Sequence, residues 1–283
     1  MGAANRNQWY ADWQDDGHVR LFDFRSALSD KNVLRAYESL NEVGLLCDRI
    51  KAMGSRGSLL EIGCATGEFY RFLKLRYPSV LYRGVDISRP AIDRALEKYP
   101  QARFFLTPPD ADGSLVDSAD MKNQPDFVYS KDVVHHQTNP LEFLARLVNA
   151  ATDTVILRCR TRDVGRTVDD PDQSCQYHYQ GWMPYIVTNI DELVEHIQRI
   201  APDSEIAIRR NHMILGGQHN RYLPKECYLE ETGTAETAVG VYLRTDNPGR
   251  VTIEDKPEVG RRYTVLHMMQ KGLRLVRSSL SGR

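Results

Sequence analysis

Helical stripes and short apolar runs alternate along most of the chain. Between residues 30 and 53, Val33, Leu34, Tyr37, Leu40, Val43, Leu46 and Ile50 recur at spacings of three and four. This predicts one amphipathic helix, stopped by Gly54 and Gly57. The run Leu59, Leu60, Glu61, Ile62 predicts a strand, and the helix after it, over 68–77, ends at Pro78. The rhythm continues with a strand at 81–86, a helix at 90–99 with Pro90 in its first turn, and strands at 102–106 and 126–130. A helix at 140–150 and a strand at 154–159 complete it. Strands that alternate with helices in this way build a parallel sheet.

Beyond Cys159 the period is lost. Residues 161–188 gather Tyr177, His178, Tyr179, Trp182, Met183, Pro184 and Tyr185, and read as an insertion after the fifth strand. Loops leaving the C-terminal edge of a parallel sheet are where open α/β folds bind ligands, so the insertion is placed to cover a substrate. The alternative is that its aromatics form only the insertion's own small core. A capped helix follows at 190–200, with Asn189 or Asp191 at its start and Pro202 after its end. Strands at 205–215 and 238–245 would fill antiparallel sixth and seventh positions, and Val251 opens another extended stretch after the turn at 246–249. Residues 107–113, with Pro108 and Pro109, fit neither strand nor mid-helix. The first 29 residues, where Trp9, Tyr10, Trp13, Phe22 and Phe24 stand among charges, read as an arm that either folds over the active site or is a simple extension.

Composition narrows the class of function. The 283 residues carry 37 basic and 38 acidic side chains, a formal net charge of -1, so no global field draws the protein to nucleic acid. Five cysteines with no C-x-x-C pair argue against a disulfide framework and against a thiolate zinc site, which favours a reducing cytoplasm. The N-terminal residues lack the apolar core of a signal peptide, and no apolar run approaches the ~20 residues of a membrane span. Residues 261–283 hold six basic residues and no acid, which makes this tail a candidate for weak contact with an anionic membrane surface or simply a solvated segment.

The chemistry concentrates where the first strand breaks into Gly63, Cys64, Ala65, Thr66 and Gly67 before a helix begins. Gly63 and Gly67 admit backbone angles and close approaches that other residues do not. The spacing is not the G-x-G-x-x-G of a pyrophosphate turn, which speaks against a nicotinamide dinucleotide. Asp86 ends the next strand, about 20 residues on, where a carboxylate can accept hydrogen bonds from both ribose hydroxyls. A third segment, from Asp126 through Ser130, Lys131, Asp132, His135 and His136 to Asn139 and Pro140, closes the fourth strand.

Together these three segments resemble the first, second and fourth-strand motifs of the class I S-adenosylmethionine-dependent methyltransferases, over residues 59–147. The resemblance implies a Rossmann-like, mainly parallel seven-stranded sheet flanked by helices, here with an aromatic-rich cap insertion after strand five. It implies S-adenosyl-L-methionine as cofactor, surrounded by Glu61, Gly63, Cys64, Ala65, Thr66, Gly67, Asp86, Ile87, Ser130, Lys131 and Asp132. It also places the loop at 107–113 over the adenine, with Asp112 as a candidate for the adenine amine. The chain departs from the family at Ala65, a position that is often glycine. Alanine suits a right-handed backbone and not positive φ, so the expected turn is one that alanine can take.

The parts read as an N-terminal arm and helix (1–57), a cofactor-binding core (58–160), a substrate cap (161–188), the C-terminal part of the sheet (189–250) and a basic extension (251–283). An alcohol or phenol acceptor must lose a proton during methyl transfer, and histidine suits that task. His136 is the first candidate base, then His178 and His135. Arg160, Tyr177, Tyr179, Trp182 and Tyr185 are candidate acceptor contacts. Arg158, Arg160 and Arg162 either form a positive patch for an anionic acceptor or pair with Asp163, Asp169, Asp170 and Asp172 nearby. The expected reaction is O-methylation of a small polar acceptor such as a sugar or acidic metabolite. The alternatives are N-methylation of a small molecule and a non-catalytic binding protein on the same scaffold.

Overall fold

The structure, a computed structural model, describes residues 11–17, 19, 23, 27–107, 124–178, 181–212, 221–222 and 233–258. The stripe between 30 and 53 forms two helices, α1 (Asp30–Glu38) and α2 (Asn41–Ala52), where one was expected. The chain breaks at Ser39, whose hydroxyl donates to the Ala36 carbonyl and so competes with the helical backbone. The break also frees the Asn41 amide to donate to Glu258, 217 positions later in the sequence.

Strand β1 (Gly57–Ile62) is followed by α3 (Glu68–Arg76), β2 (Val80–Asp86), α4 (Arg89–Lys98) and β3 (Arg103–Leu106). Then come β4 (Phe127–Lys131), α5 (Pro140–Ala150), β5 (Thr154–Arg162), β6 (Cys175–His178), β7 (Gly181–Pro184), β8 (Thr188–Asn189) and α6 (Ile190–Ile200). The last elements are β9 (Glu205–Asn211), β10 (Arg221–Tyr222), β11 (Ala235–Tyr242) and β12 (Val251–Asp255). The main sheet runs β3-β2-β1-β4-β5-β11-β9-β12, with β8 added beside β5. The sheet is thus wider than the expected seven strands, because the extended stretch at Val251 pairs in parallel with β9. Of the two late strands expected to be antiparallel, β11 opposes both its neighbours, whereas β9 returns in the direction of β5 after α6.

Both faces of the sheet are covered, which explains the continuous apolar runs. Leu59, Phe127 and Tyr129 face α1 to α4 and pack with Phe69, Phe72 and Leu73. Leu60, Ile62, Val128 and Val155 face the other way, onto Leu144 and Leu147 of α5 and Leu193 and Ile197 of α6. Polar caps start the crossover helices: Ser88 for α4, Asn139 for α5 and Asn189 for α6 each accept a backbone N–H. Strand β5 runs past its expected end at residue 159 because β11 pairs along it from Thr154 to Thr161. The insertion after it folds β6 and β7 into a hairpin, with β10 on the far side of β6. Among the described residues no helix is long and apolar enough to cross a membrane. The tail at 261–283, the loop residues 108–113 with Asp112, and Tyr179 lie outside the described residues.

Candidate active site

The exits of β4, β1 and β2 lie side by side at one edge of the sheet, and the glycine turn leaves the middle one. Gly63, Ala65 and Gly67 have φ of 81°, 46° and 80°. An added Cβ on Gly63 would stand 2.3 Å from Val133 Cγ2, so the close approach excludes a side chain there. Asp86 ties the turn to β2: its Oδ2 accepts the Ala65 amide at 2.8 Å and its Oδ1 the Ser88 amide at 2.9 Å. Burial raises the Asp86 pKa, with these backbone amides opposing the shift.

Ala65 therefore adopts the left-handed backbone that its side chain was expected to avoid. The carboxylate bond to its amide helps hold it there, against roughly 1–2 kcal/mol of steric cost. Ala65→Gly is expected to stabilise the fold by up to about 1 kcal/mol, the strain relief exceeding the extra entropy of an unfolded glycine. A urea-denaturation midpoint that fell in this variant would refute the strain account.

Glu61 is buried beneath the same turn and accepts the Tyr82 hydroxyl. Burial pushes its carboxyl up to about 8, aided by the Asp86 charge and opposed by the Tyr82 hydrogen bond and by Lys131. A carboxyl raised from 4.5 to about 8 holds its proton more tightly folded than unfolded. Its contribution to stability is thus complete below the unfolded value and lost as pH rises through about 8. Glu61→Gln should remove that loss, on the order of 4 kcal/mol, so the melting temperatures of variant and wild type should diverge with rising pH between those limits. Parallel curves would show that Glu61 is not the group responsible.

At the exit of β4, Asp132 sits at a φ of 59° and is gripped by Arg158 of β5 through two bonds, Nε to Oδ1 at 3.0 Å and Nη2 to Oδ2 at 3.1 Å. Lys131 adds a third at 2.8 Å. Burial alone would raise the Asp132 pKa, but Arg158 and Lys131 outweigh it and hold the carboxyl well below its ordinary range. Arg158 also lies 3.7 Å from Glu42, 3.7 Å from Glu236 and 3.9 Å from Glu258. Burial pushes Glu42 up to about 7 despite Arg158, and among the described residues neither of its oxygens makes a hydrogen bond.

Arg158 and Arg160 of β5 thus form neither an open patch nor pairs with the aspartates that follow them. Arg158 and Arg160 meet acids from α2, β4, β11 and the segment after β12, with Arg160 Nη1 2.6 Å from Glu236 Oε1. Asp163 pairs with Arg210 of β9 instead, and Asp170 accepts bonds within its own turn. These partners were missed because Glu42, Glu236 and Glu258 are remote in sequence. The available signal was an acid at 42 beside the apolar stripe of α2, and an acid at 236 where β11 would face β5.

His135 and His136 form a short 3-10 turn after β4, both buried. The Ile186 amide donates to the His135 carbonyl at 2.8 Å, and His136 Nδ1 lies 2.9 Å from the Pro184 carbonyl oxygen. A carbonyl only accepts, so Nδ1 carries the hydrogen and the lone pair of the neutral ring is on Nε2. Tyr185 packs its ring against both imidazoles. Arg160 is buried, and its Nε makes no hydrogen bond among the described residues.

Of the residues singled out in the sequence, Glu61, Gly63, Cys64, Ala65, Thr66, Gly67, Asp86, Ile87, Ser130, Lys131 and Asp132 gather at these three strand exits. Ser130 is fully buried and spends its hydroxyl on the Ile62 carbonyl, so only its backbone is placed to face a ligand. Thr66 is likewise buried and accepts from Lys98. Tyr177 and His178 lie on β6 and Trp182 on β7, with their side chains outside the described residues.

A methyltransferase domain profile matches residues 37–204, and the chain belongs to that family. No protein of curated function matches the chain by sequence. Among solved structures, the chain resembles magnesium protoporphyrin IX methyltransferase from Synechocystis PCC 6803 with bound S-adenosylmethionine, at 14% identity and a TM-score of 0.52, over 85% of this chain and 99% of that one. An O-methyltransferase of a trans-AT polyketide synthase from Brevibacillus brevis, in complex with S-adenosylhomocysteine, aligns at 14% identity and a TM-score of 0.51, over 85% and 80%. The plantazolicin methyltransferase with S-adenosylhomocysteine follows at 12% identity and 0.50, over 84% and 94%. At these identities the shared property is the fold. The chain is a methyltransferase.

Proposed function

We propose that this protein methylates an oxygen of a small polar acceptor, such as a sugar or an acidic metabolite, with His136 as the base. The methyl donor is S-adenosyl-L-methionine. The residues at the strand exits fit it: a carboxylate offers about four acceptor positions, and the two amides held by Asp86 leave capacity for a pair of ribose hydroxyls. The turn from Gly63 to Gly67, with Glu61 beneath it and Lys131 and Asp132 beside it, would hold the amino-acid part. When bound, the sulfonium supplies an activated methyl group.

The observation that carries the oxygen reading is the hydrogen bond from His136 Nδ1 to the Pro184 carbonyl. It fixes the ring so that Nε2 is the basic nitrogen, and it ties that ring to the end of β7 in the insertion. An alcohol brought to Nε2 would pass its proton there as the oxygen attacks, and general-base help of this kind is worth about 10²–10⁴-fold in rate. Arg160 and Tyr185 would contact the acceptor, and the insertion would exclude water from it.

The test is methyl transfer from labelled S-adenosylmethionine to a panel of hydroxy acids and sugars. His136→Ala should lower kcat by about 10²–10⁴-fold. Turnover of amines alone, with His136→Ala and His178→Ala both fully active, would replace this reading with N-methylation.

A further inference from the structure

The N-terminal arm touches both sides of this crevice. Gln14 presents both ends of its amide to the exit of β2, where Nε2 donates to the Ile87 carbonyl at 2.8 Å and Oε1 accepts the Arg89 amide at 3.2 Å. Its neighbour Trp13 sets its ring edge-on to His136 at the exit of β4, with 5.5 Å between ring centroids. In the sheet β4 and β2 flank β1, so their exits are two strand spacings apart, about 10 Å. Two consecutive residues, whose Cα atoms are only ~3.8 Å apart, can reach both exits only if their backbone lies between them, above the exit of β1. That is where the Gly63–Gly67 turn emerges. Further along the arm, Asp23 pairs with Arg94 at 2.8 Å and Lys98 at 2.9 Å on α4, beyond β2.

We infer that Trp13 and Gln14 are positioning residues of the active site. The turn Ala11–Gln14 bridges the cofactor crevice, with Gln14 holding the backbone beside the ribose acid Asp86 and Trp13 bracing the imidazole of His136. The inference rests on the crevice assigned above to the cofactor, and not on the identity of the acceptor or on the base. Gln14 replaces with one side chain a pair of bonds that backbone would otherwise make to water at the mouth of the crevice. Its two partners flank Ser88, whose amide Asp86 itself holds. A cofactor seated in the crevice would leave only after this bridge lifts.

The experiment measures dissociation of S-adenosylhomocysteine from the full chain by stopped-flow displacement. Gln14→Ala and Trp13→Ala should each speed release by about tenfold, the size expected for removing about 1.4 kcal/mol of closure. Trp13→Phe, which keeps a ring against His136, should restore a rate near that of wild type. The KM for S-adenosylmethionine should rise in the two alanine variants. Gln14 is exposed, so its variant should fold even if Trp13→Ala does not, and it then decides alone. Release at the wild-type rate from a folded Gln14→Ala would overturn the inference. That outcome is separable from failure of the O-methylation reading, which turns on the methyl-transfer activity of His136→Ala and not on release from Gln14→Ala.

Discussion

Asp86→Ala is expected to weaken S-adenosylhomocysteine binding by at least about a hundredfold. The carboxylate holds the amides of Ala65 and Ser88, and under the proposed function it would also accept two ribose hydroxyls. Hydrogen bonds to a charged acceptor are each worth about 1.5–3 kcal/mol, so losing the ribose pair alone corresponds to roughly 10²–10⁴ in Kd. Alanine also frees Ala65 from the contact that helps hold its left-handed backbone, which should disorder the turn further. Isothermal titration of the variant, with its melting temperature measured in parallel, separates the two tasks. A lowered melting temperature with unchanged affinity would make Asp86 a brace for the turn only. Asp86→Asn, which keeps one acceptor oxygen, should fall between.

Arg158→Met is expected to cost about 3–5 kcal/mol of stability, the penalty for stranding a buried charge whose partner is removed. In a chain of this size that corresponds to a fall of roughly 10 °C in melting temperature. Here one guanidinium grips Asp132 and stands within 4 Å of three further acids, Glu42, Glu236 and Glu258. The pH dependence has a definite sign. In the wild type Asp132 is depressed, so its stabilisation is present above the ordinary carboxylate range and lost only in strong acid. In the variant Lys131 still pairs with that carboxyl, so its pKa should rise towards the ordinary range and its stabilisation at neutral pH should shrink. The gap between the two proteins should therefore be widest near neutrality and close towards acid. A gap that stayed constant with pH would mean that packing, not charge, sets the effect.

The three strand exits were legible in the sequence for a physical reason: each is a local strand–turn–helix unit. The apolar run into Gly63, the acid at 86 and the segment from Ser130 to His136 each occupy a few consecutive residues, and the parallel order brings their exits together. What stayed hidden depends on contacts between remote segments. Periodicity could not show the break at Ser39, because the apolar stripe runs unbroken through it. The left-handed backbone of Ala65 is supported by a carboxylate 21 residues away. The acids around Arg158 come from four separate elements, and the nearby aspartates that looked like partners are used elsewhere. The strand at Val251 completes the sheet because an open edge of β9 accepts it, which a local pattern does not reveal.

The charge cluster around Arg158 is assembled from segments far apart in the chain. Asn41 holds the Lys256 carbonyl and Glu258, and Glu258 closes the ring of acids around Arg158. During synthesis, α2, β4 and β5 emerge from the ribosome long before residue 258 does. Until then Glu42 and Arg158 lack their last neighbour. The nascent protein is thus expected to complete the charge arrangement around Arg158 only when the segment after β12 has left the ribosome.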